Sequence, residues 1–274
     1  MFVMEPTDRQ EGTRVNSPEL RPTIIKGTQP VTLPVAQSRT QSQTHSNLFL
    51  AALPAKELVT LTPALRPAEL SQGQVLFEPG ERLADVLFIE SGMISLLTPM
   101  QDGNAVETAT LGREAILGTL AALGLHHVHT RAVVQIAGSG YRMRVSDFRT
   151  AVEKSRLLRQ LVLLSSELTL AQTQQTAACN AIHSAERRLC RLILQVRDRI
   201  DGDVIQLTHD FLAQMLAVRR PTVSLIARQL QDAGLIRYRR GRITILDRAG
   251  LEKMACECVV ALRTRTGLIL GSLS

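Results

Sequence analysis

Between Arg219 and Arg242 the chain carries seven arginines and a single acid, Asp232. Guanidinium groups bind phosphates and planar acceptors through paired N–H donors, so this stretch offers anion recognition rather than bond-breaking chemistry. If the segment that begins near Arg220 is helical, its exposed face presents Arg220, Thr222, Ser224 and Arg228. Arg239, Arg240 and Arg242 cluster at a short turn further on. Arginine and hydroxyl side chains at the N-terminal end of a helix can enter a major groove and reach base edges or phosphates.

The elements that would position these groups are legible nearby. Thr208 is an N-cap residue with Asp210 in the first turn behind it. A first helix, His209 to Leu216, then buries Leu212, Ala213 and Leu216. Ala217-Val218 makes the turn, at a position where a positive φ is often needed. Pro221 sits in the first turn of a second helix, where its missing N–H costs nothing. That helix buries Val223, Ile226 and Leu230 and ends near Gly234. Two helices crossing steeply around a small residue, here Ala213, form a helix-turn-helix. Leu235-Ile-Arg-Tyr-Arg, Arg240-Gly241 and Arg242-Ile-Thr-Ile-Leu then read as a hairpin with a two-residue loop. Ile236 and Tyr238 face one way and Arg237 and Arg239 the other, the pattern of a wing.

The charge map agrees. Residues 179–250 carry 13 basic and 7 acidic side chains, whereas residues 46–178 carry 11 and 12. Nearly all of the +7 net charge therefore sits in one module, the electrostatic footprint of a polyanion binder. A surface that docks another protein through the wing is the competing reading.

The rest of the chain, 274 residues and 45% apolar, is long enough for two domains and a sizeable core. Residues 1–45, rich in Pro, Thr, Gln and Ser, read as a disordered leader. Short helices are expected at Asn47–Leu53 and Ala55–Leu61. Residues 46–150 then supply the short apolar runs Gln74–Glu78, Val86–Glu90, Met93–Leu97, Ala105–Thr110 and Ala132–Ile136. Turn signals at Pro79-Gly80, Ser91-Gly92, Asp102-Gly103 and Gly138-Ser139-Gly140 separate them, which predicts an antiparallel sandwich or barrel.

From about Ser146 the pattern is helical for some 50 residues. Leu157, Leu161, Leu164, Leu168, Ala171, Gln175 and Ala178 follow a 4-3-4-3-4-3 spacing. Such a stripe fits a coiled-coil seam or a core stripe against the protein's own barrel, and we favour the seam of a parallel homodimer. Residues 151–178 are thus the dimerisation helix, 179–250 the winged helix-turn-helix and 251–274 a C-terminal helix with Leu251, Met254, Ala255, Cys258, Val259 and Leu262 on one side. The fold class is α+β: an N-terminal antiparallel β jelly-roll barrel, a long dimerisation helix and a C-terminal winged helix-turn-helix.

Several function classes find no residues. There is no bilayer-length apolar run; even Leu157–Leu170 is broken by Arg159, Gln160 and Glu167. No Ser-His-Asp order, phosphate-cradling glycine loop or paired carboxylates emerge, so no catalytic residue and no cofactor is assigned. His126-His127-x-His129 lacks the nearby carboxylate that a cupin-like metal enzyme needs, and no metal ligands are assigned. Cys179, Cys190, Cys256 and Cys258 read as buried small hydrophobes, with a thiol switch as the alternative. Without a spaced cysteine framework, the reducing cytoplasm is the expected location.

This order of elements resembles the CRP/FNR family of bacterial transcription regulators over residues 46–250. The likeness is strongest in Leu207–Ser224 and Ala233–Asp247; Gly73–Gly80 and Phe88–Gly92 add to it in the barrel. The resemblance implies a homodimer on a palindromic operator in double-stranded DNA, where it recruits or blocks RNA polymerase. It places Arg220 at the family's first base-reading arginine and Thr208, Arg219 and Thr222 at phosphate-contacting positions. Pro221 stands where a glutamate is usual and Leu225 where a later base-reading arginine is, so a different operator is implied. Cyclic-nucleotide binders of the family use Gly-Glu-Leu for the ribose and Arg-Ser or Arg-Thr for the cyclic phosphate. Here the matching residues are Gly118-Thr119-Leu120 and His129-Thr130, or Thr130-Arg131 one position on. The carboxylate is gone, so an effector pocket at Gly118, Thr119, His129, Thr130 and Arg131 would take some other small molecule.

Overall fold

The computed structural model describes residues 45–271 apart from Asp102, His126 and Asp201. The leader reading for residues 1–45 therefore lies outside the described residues, save for His45. Two short helices come first, α1 (Leu48–Ala51) and α2 (Ala55–Leu61). Asn47 caps α1 by accepting from the amides of Phe49 and Leu50, while its own amide reaches the carbonyls of Ile89 and Ala115.

Eight strands follow: β1 (Arg66–Leu70), β2 (Val75–Phe77), β3 (Asp85–Ile89), β4 (Met93–Pro99), β5 (Ala105–Leu111), β6 (Ile116–Leu117), β7 (Arg131–Ile136) and β8 (Gly138–Arg144). They pair antiparallel in two four-stranded sheets, ordered β1-β8-β3-β6 and β2-β7-β4-β5. Successive side chains of a strand point to opposite faces. In β3, Leu87 and Ile89 accordingly enter the space between the sheets, with Phe77, Ile94, Leu111 and Val134. Val86 and Phe88 instead pack outward under the helices, with Phe49, Phe148 and Leu161. Both faces of β3 are covered, which is why its apolar run does not alternate with polar residues.

Gly138-Ser139-Gly140 is not the expected turn; it begins β8. A Cβ on Gly138 would stand 2.1 Å from the Ser91 carbonyl oxygen, and one on Gly140 2.4 Å from that of Phe88. The glycines are there because neighbouring backbone approaches too closely for any side chain.

The long helical region comprises three helices: α3 (Val145–Lys154), α4 (Arg156–Ile182) and α5 (Ala185–Arg197). Ser155 and Ser184 cap α4 and α5 and so set the breaks. Then come β9 (Val204–Gln206), α6 (His209–Leu216), α7 (Arg220–Asp232), β10 (Ile236–Arg239), β11 (Arg242–Ile245), α8 (Arg248–Met254) and α9 (Cys258–Gly271). The expected single C-terminal helix is thus two, interrupted at Ala255–Glu257. Its apolar stripe is nonetheless buried at Leu251, Ala255, Cys258, Val259 and Leu262. Helix α5 is buried on nearly every side; its Leu192, Ile193 and Val196 share a core with Met93 of the barrel and with Leu212, Val223 and Ile243.

Candidate nucleic-acid interface

Helices α6 and α7 begin and end where local chemistry dictates. The Thr208 hydroxyl accepts from the Phe211 amide at 3.3 Å and starts α6. Ala217 ends it with φ 50°, the left-handed backbone that an alanine adopts at a cost. Val218 packs half-buried behind this turn, and Val223, Ile226 and Leu230 fix α7 against the core. Gly234, at φ 71°, follows α7.

The wing turn uses Arg240 and Gly241, both at positive φ, as a two-residue hairpin between right-twisted strands requires. β11 also pairs with β9, a strand without a sequence signal, which makes a three-stranded sheet ordered β10-β11-β9.

Arg219, Arg220, Thr222 and Arg228 are exposed along α7 and its N-terminus, as are Arg237, Arg239, Arg240 and Arg242 on the wing. The surface is predominantly cationic; Asp210 lies 3.5 Å from Arg220 in an open ion pair, and Asp232 is exposed at the far end of α7. Ser224 departs from expectation. It is half-buried, with its hydroxyl donating to the Arg220 carbonyl and lying 2.9 Å from His209 Nδ1. It therefore ties α7 to α6. His209 in turn stacks on Tyr238 of the wing, ring centres 4.1 Å apart. Sequence reasoning missed His209, whose role depends on residues 15 and 29 positions away. Burial and the nearby Arg220 charge lower its pKa, against a smaller pull upward from Asp210.

The barrel residues singled out have different surroundings. Thr119 is buried, with its hydroxyl 3.2 Å from that of Ser166 on α4. Arg131 is half-buried and paired with Glu78 at 2.8 Å. His129 is exposed and Thr130 half-buried, while Gly118, at φ 87°, precedes the turn that carries Thr119. The space between the sheets is filled by aliphatic side chains and Phe77.

The seam of α4 needs correction. Leu161 and Leu168 are buried in the chain's own core, with Leu157 and Leu164 packed beside them. Gln175 donates to the Cys258 sulfur, and Ala171 lies by Leu262 of α9; Ala178 is exposed. The stripe thus faces mostly inward. Ser165, one residue off it, is buried and bonds the Ile116 amide, and Gln172 donates to Thr110. The outward face carries Leu163 and Leu170, 55% and 57% exposed, with Ala177 one heptad further on.

The cysteine reading also changes. Cys190 is a lone buried thiol in the α5 core, but Cys179, Cys256 and Cys258 form one cluster beside His183. Its signal in the sequence was Cys-x3-His, one helical turn, together with Cys-x-Cys; 72 intervening residues hid the link.

Among the described residues no helix is long and apolar enough to cross a membrane. Residues 67–155 match the cyclic nucleotide-binding domain family and residues 187–254 the Crp-like helix-turn-helix domain, together more than half of the chain. No curated protein matches the sequence. Among solved structures, FixK2 from Bradyrhizobium japonicum is similar with a TM-score of 0.60 and 14% identity, over 70% of this chain and 98% of that one. The c-di-GMP responsive global regulator CLP of Xanthomonas campestris gives 0.58 and 14%, over 71% and 100%. A CRP/FNR family regulator from Thermus thermophilus gives 0.57 and 20%, over 69% and 98%. These three likenesses speak to the fold, and the two domain matches, in this order on this fold, speak to the family. The chain belongs to the CRP/FNR family of DNA-binding transcription regulators, which are not enzymes.

Proposed function

We propose that the protein acts in the cytoplasm as a homodimer on a palindromic operator and there recruits or blocks RNA polymerase. Arg220 and Arg228 would read base edges, while Thr208, Arg219, Thr222, Arg239, Arg240 and Arg242 hold phosphates. Ser224 supports α7 from behind. The observation that carries this reading is the cationic surface formed jointly by the exposed arginines of α7 and the wing.

The homodimer rests on the outward face of α4. Arg159, Leu163, Leu170 and Ala177 lie exposed along α4, with half-buried Ser166 and Thr173 between them at 4-3-4-3-4 spacing, so leucines and small residues occupy the contact positions. Two recognition helices so held would meet half-sites about one helical turn apart. Operationally, we divide the chain into a sensor barrel (46–150), the dimerisation helix (151–178), the winged helix (179–250) and the C-terminal segment (251–274).

The barrel effector is not a cyclic nucleotide in this reading. Thr119 offers no charged acceptor for a ribose and is turned toward Ser166, and Arg131 already has Glu78 as its partner. A cyclic phosphate buried without a free cation would be costly.

Selection of bound sequences from a random duplex pool, with light scattering of the protein alone, tests the whole. The expected result is a two-fold symmetric consensus bound by a dimer. A monomer that ignores duplexes at low salt would overturn it.

A further inference from the structure

We propose that Cys179, His183, Cys256 and Cys258 form a closed, four-ligand site for a thiophilic divalent cation of the zinc class, which joins the end of α4 to the α8–α9 junction. The four ligand atoms all lie within 4.8 Å of one another. Cys179 Sγ is 3.6 Å from Cys256 Sγ, and Cys258 Sγ is 3.6 Å from His183 Nδ1. A zinc ion with bonds of 2.0–2.3 Å makes a tetrahedron whose edges are about 3.6–3.8 Å. The thiol and imidazole groups thus already stand near the corners of such a tetrahedron.

The surroundings match a metal site as well as the ligands do. His183 turns Nδ1 to the cluster and Nε2 to Glu257 Oε1 at 3.1 Å, the carboxylate-histidine arrangement that fixes a ligating imidazole. Gln175 donates to Cys258 Sγ at 3.1 Å. The three sulfurs are buried, so no position is left open to water, as in a structural rather than a catalytic site.

Charge balance gives an independent argument. Binding would release three thiol protons and leave a centre of net charge −1. Arg188 and Arg191 are buried, and neither forms an ion pair among the described residues. The Nε of each also lacks a hydrogen-bond partner there. The field of Arg191 acts on Cys179 and Cys256, and Arg188 feels the same two sulfurs. Two buried guanidinium groups outside any ion pair among the described residues, both acting on Cys179 and Cys256, are accounted for if the thiols are thiolates on a metal.

The position gives the site its consequence. Cys179 lies in the last turn of α4 and His183 follows its end, directly before the Ser184 break into α5. Cys256 and Cys258 follow α8, which packs on α5 through Leu251. A bound ion would clamp the break between α4 and the DNA-binding unit.

Metal analysis of the full-length protein, prepared from zinc-supplemented cells without chelator, tests this apart from any DNA measurement. One zinc per chain is expected, with three thiols shielded from alkylation until it is removed. Cobalt reconstitution should give the visible spectrum of a tetrahedral thiolate site. Glu257→Gln should weaken affinity about 10–100-fold by loosening the imidazole. Cys256→Ser with Cys258→Ser should abolish binding, whereas Cys190→Ala should retain it; circular dichroism checks that each variant folds. Metal-free, cobalt-silent protein with native helix content overturns the proposal. So does a Cys179–Cys256 disulfide in freshly prepared protein. Failure of operator binding with zinc in place would instead count against the proposed function.

Discussion

His209 lies against Tyr238 with ring centres 4.1 Å apart and planes 21° from parallel, so that the first residue of α6 carries the wing. With Ser224 on its Nδ1, His209 joins α6, α7 and β10 in one contact. Its Nε2 is buried without a partner among the described residues, and a proton there would have no acceptor. The folded-state pKa lies below the ordinary 6.5, so the stability that His209 contributes is lost as pH falls from 6.5 through the folded value. His209→Phe should keep the stack and flatten that acid limb, as read by thermal melts from pH 7.5 to 5. His209→Ala should free the wing and weaken DNA binding while the helix content stays native.

Arg220 and Arg219 are adjacent and both exposed but should behave differently on DNA. Arg220→Ala is expected to cost about 1–3 kcal/mol and to relax preference at one operator position. Arg219→Ala should weaken all duplexes alike and lower the slope of log affinity against log salt by about 1. Titrations on a selected operator and on scrambled DNA at several salt concentrations separate the two.

The two faces of α4 predict opposite outcomes. Leu161→Ala or Leu168→Ala opens a cavity in the chain's own core and should cost about 2–5 kcal/mol of stability. Leu163→Glu with Leu170→Glu leaves that core intact and should turn the proposed dimer into a folded monomer. Chemical denaturation and light scattering read the two effects independently; loss of dimer with no loss of fold marks the outward face as the seam.

Glu107 of β5 is a buried carboxylate that receives a hydrogen bond from Ser95 Oγ at 2.5 Å. Burial raises its pKa from 4.5 to about 7, more than Ser95, Arg191 and Arg199 lower it. The fold therefore favours the protonated acid, and stability is lost as pH rises from about 4.5 through 7. Glu107→Gln should remove this dependence and stabilise the protein by at most about 3 kcal/mol at pH 8. Urea unfolding at pH 5 and pH 8 checks it: an unchanged difference between the two pH values in the variant would assign the dependence to another group.

The amino-acid sequence by itself determined the recognition unit. Thr208, Pro221, Gly234 and the Arg240-Gly241 pair act through backbone conformation within a few residues, so α6, α7 and the wing hairpin were legible with their boundaries. The arginine cluster was equally legible because exposure of charge needs no partner. What tertiary structure decided are matters of distance along the chain. A leucine stripe at 4-3 spacing is consistent with a partner helix or the chain's own barrel, and only the packing of Leu161 and Leu168 under β3 chose between them. Gly138-Ser139-Gly140 resembled a turn until the carbonyls of Ser91 and Phe88, some 50 residues earlier, were seen to exclude a Cβ. Cys179 and Cys256 are 77 residues apart and meet at 3.6 Å because α8 folds back onto α5. Local propensity acts over single turns, whereas burial and coordination depend on which surfaces the whole chain brings together.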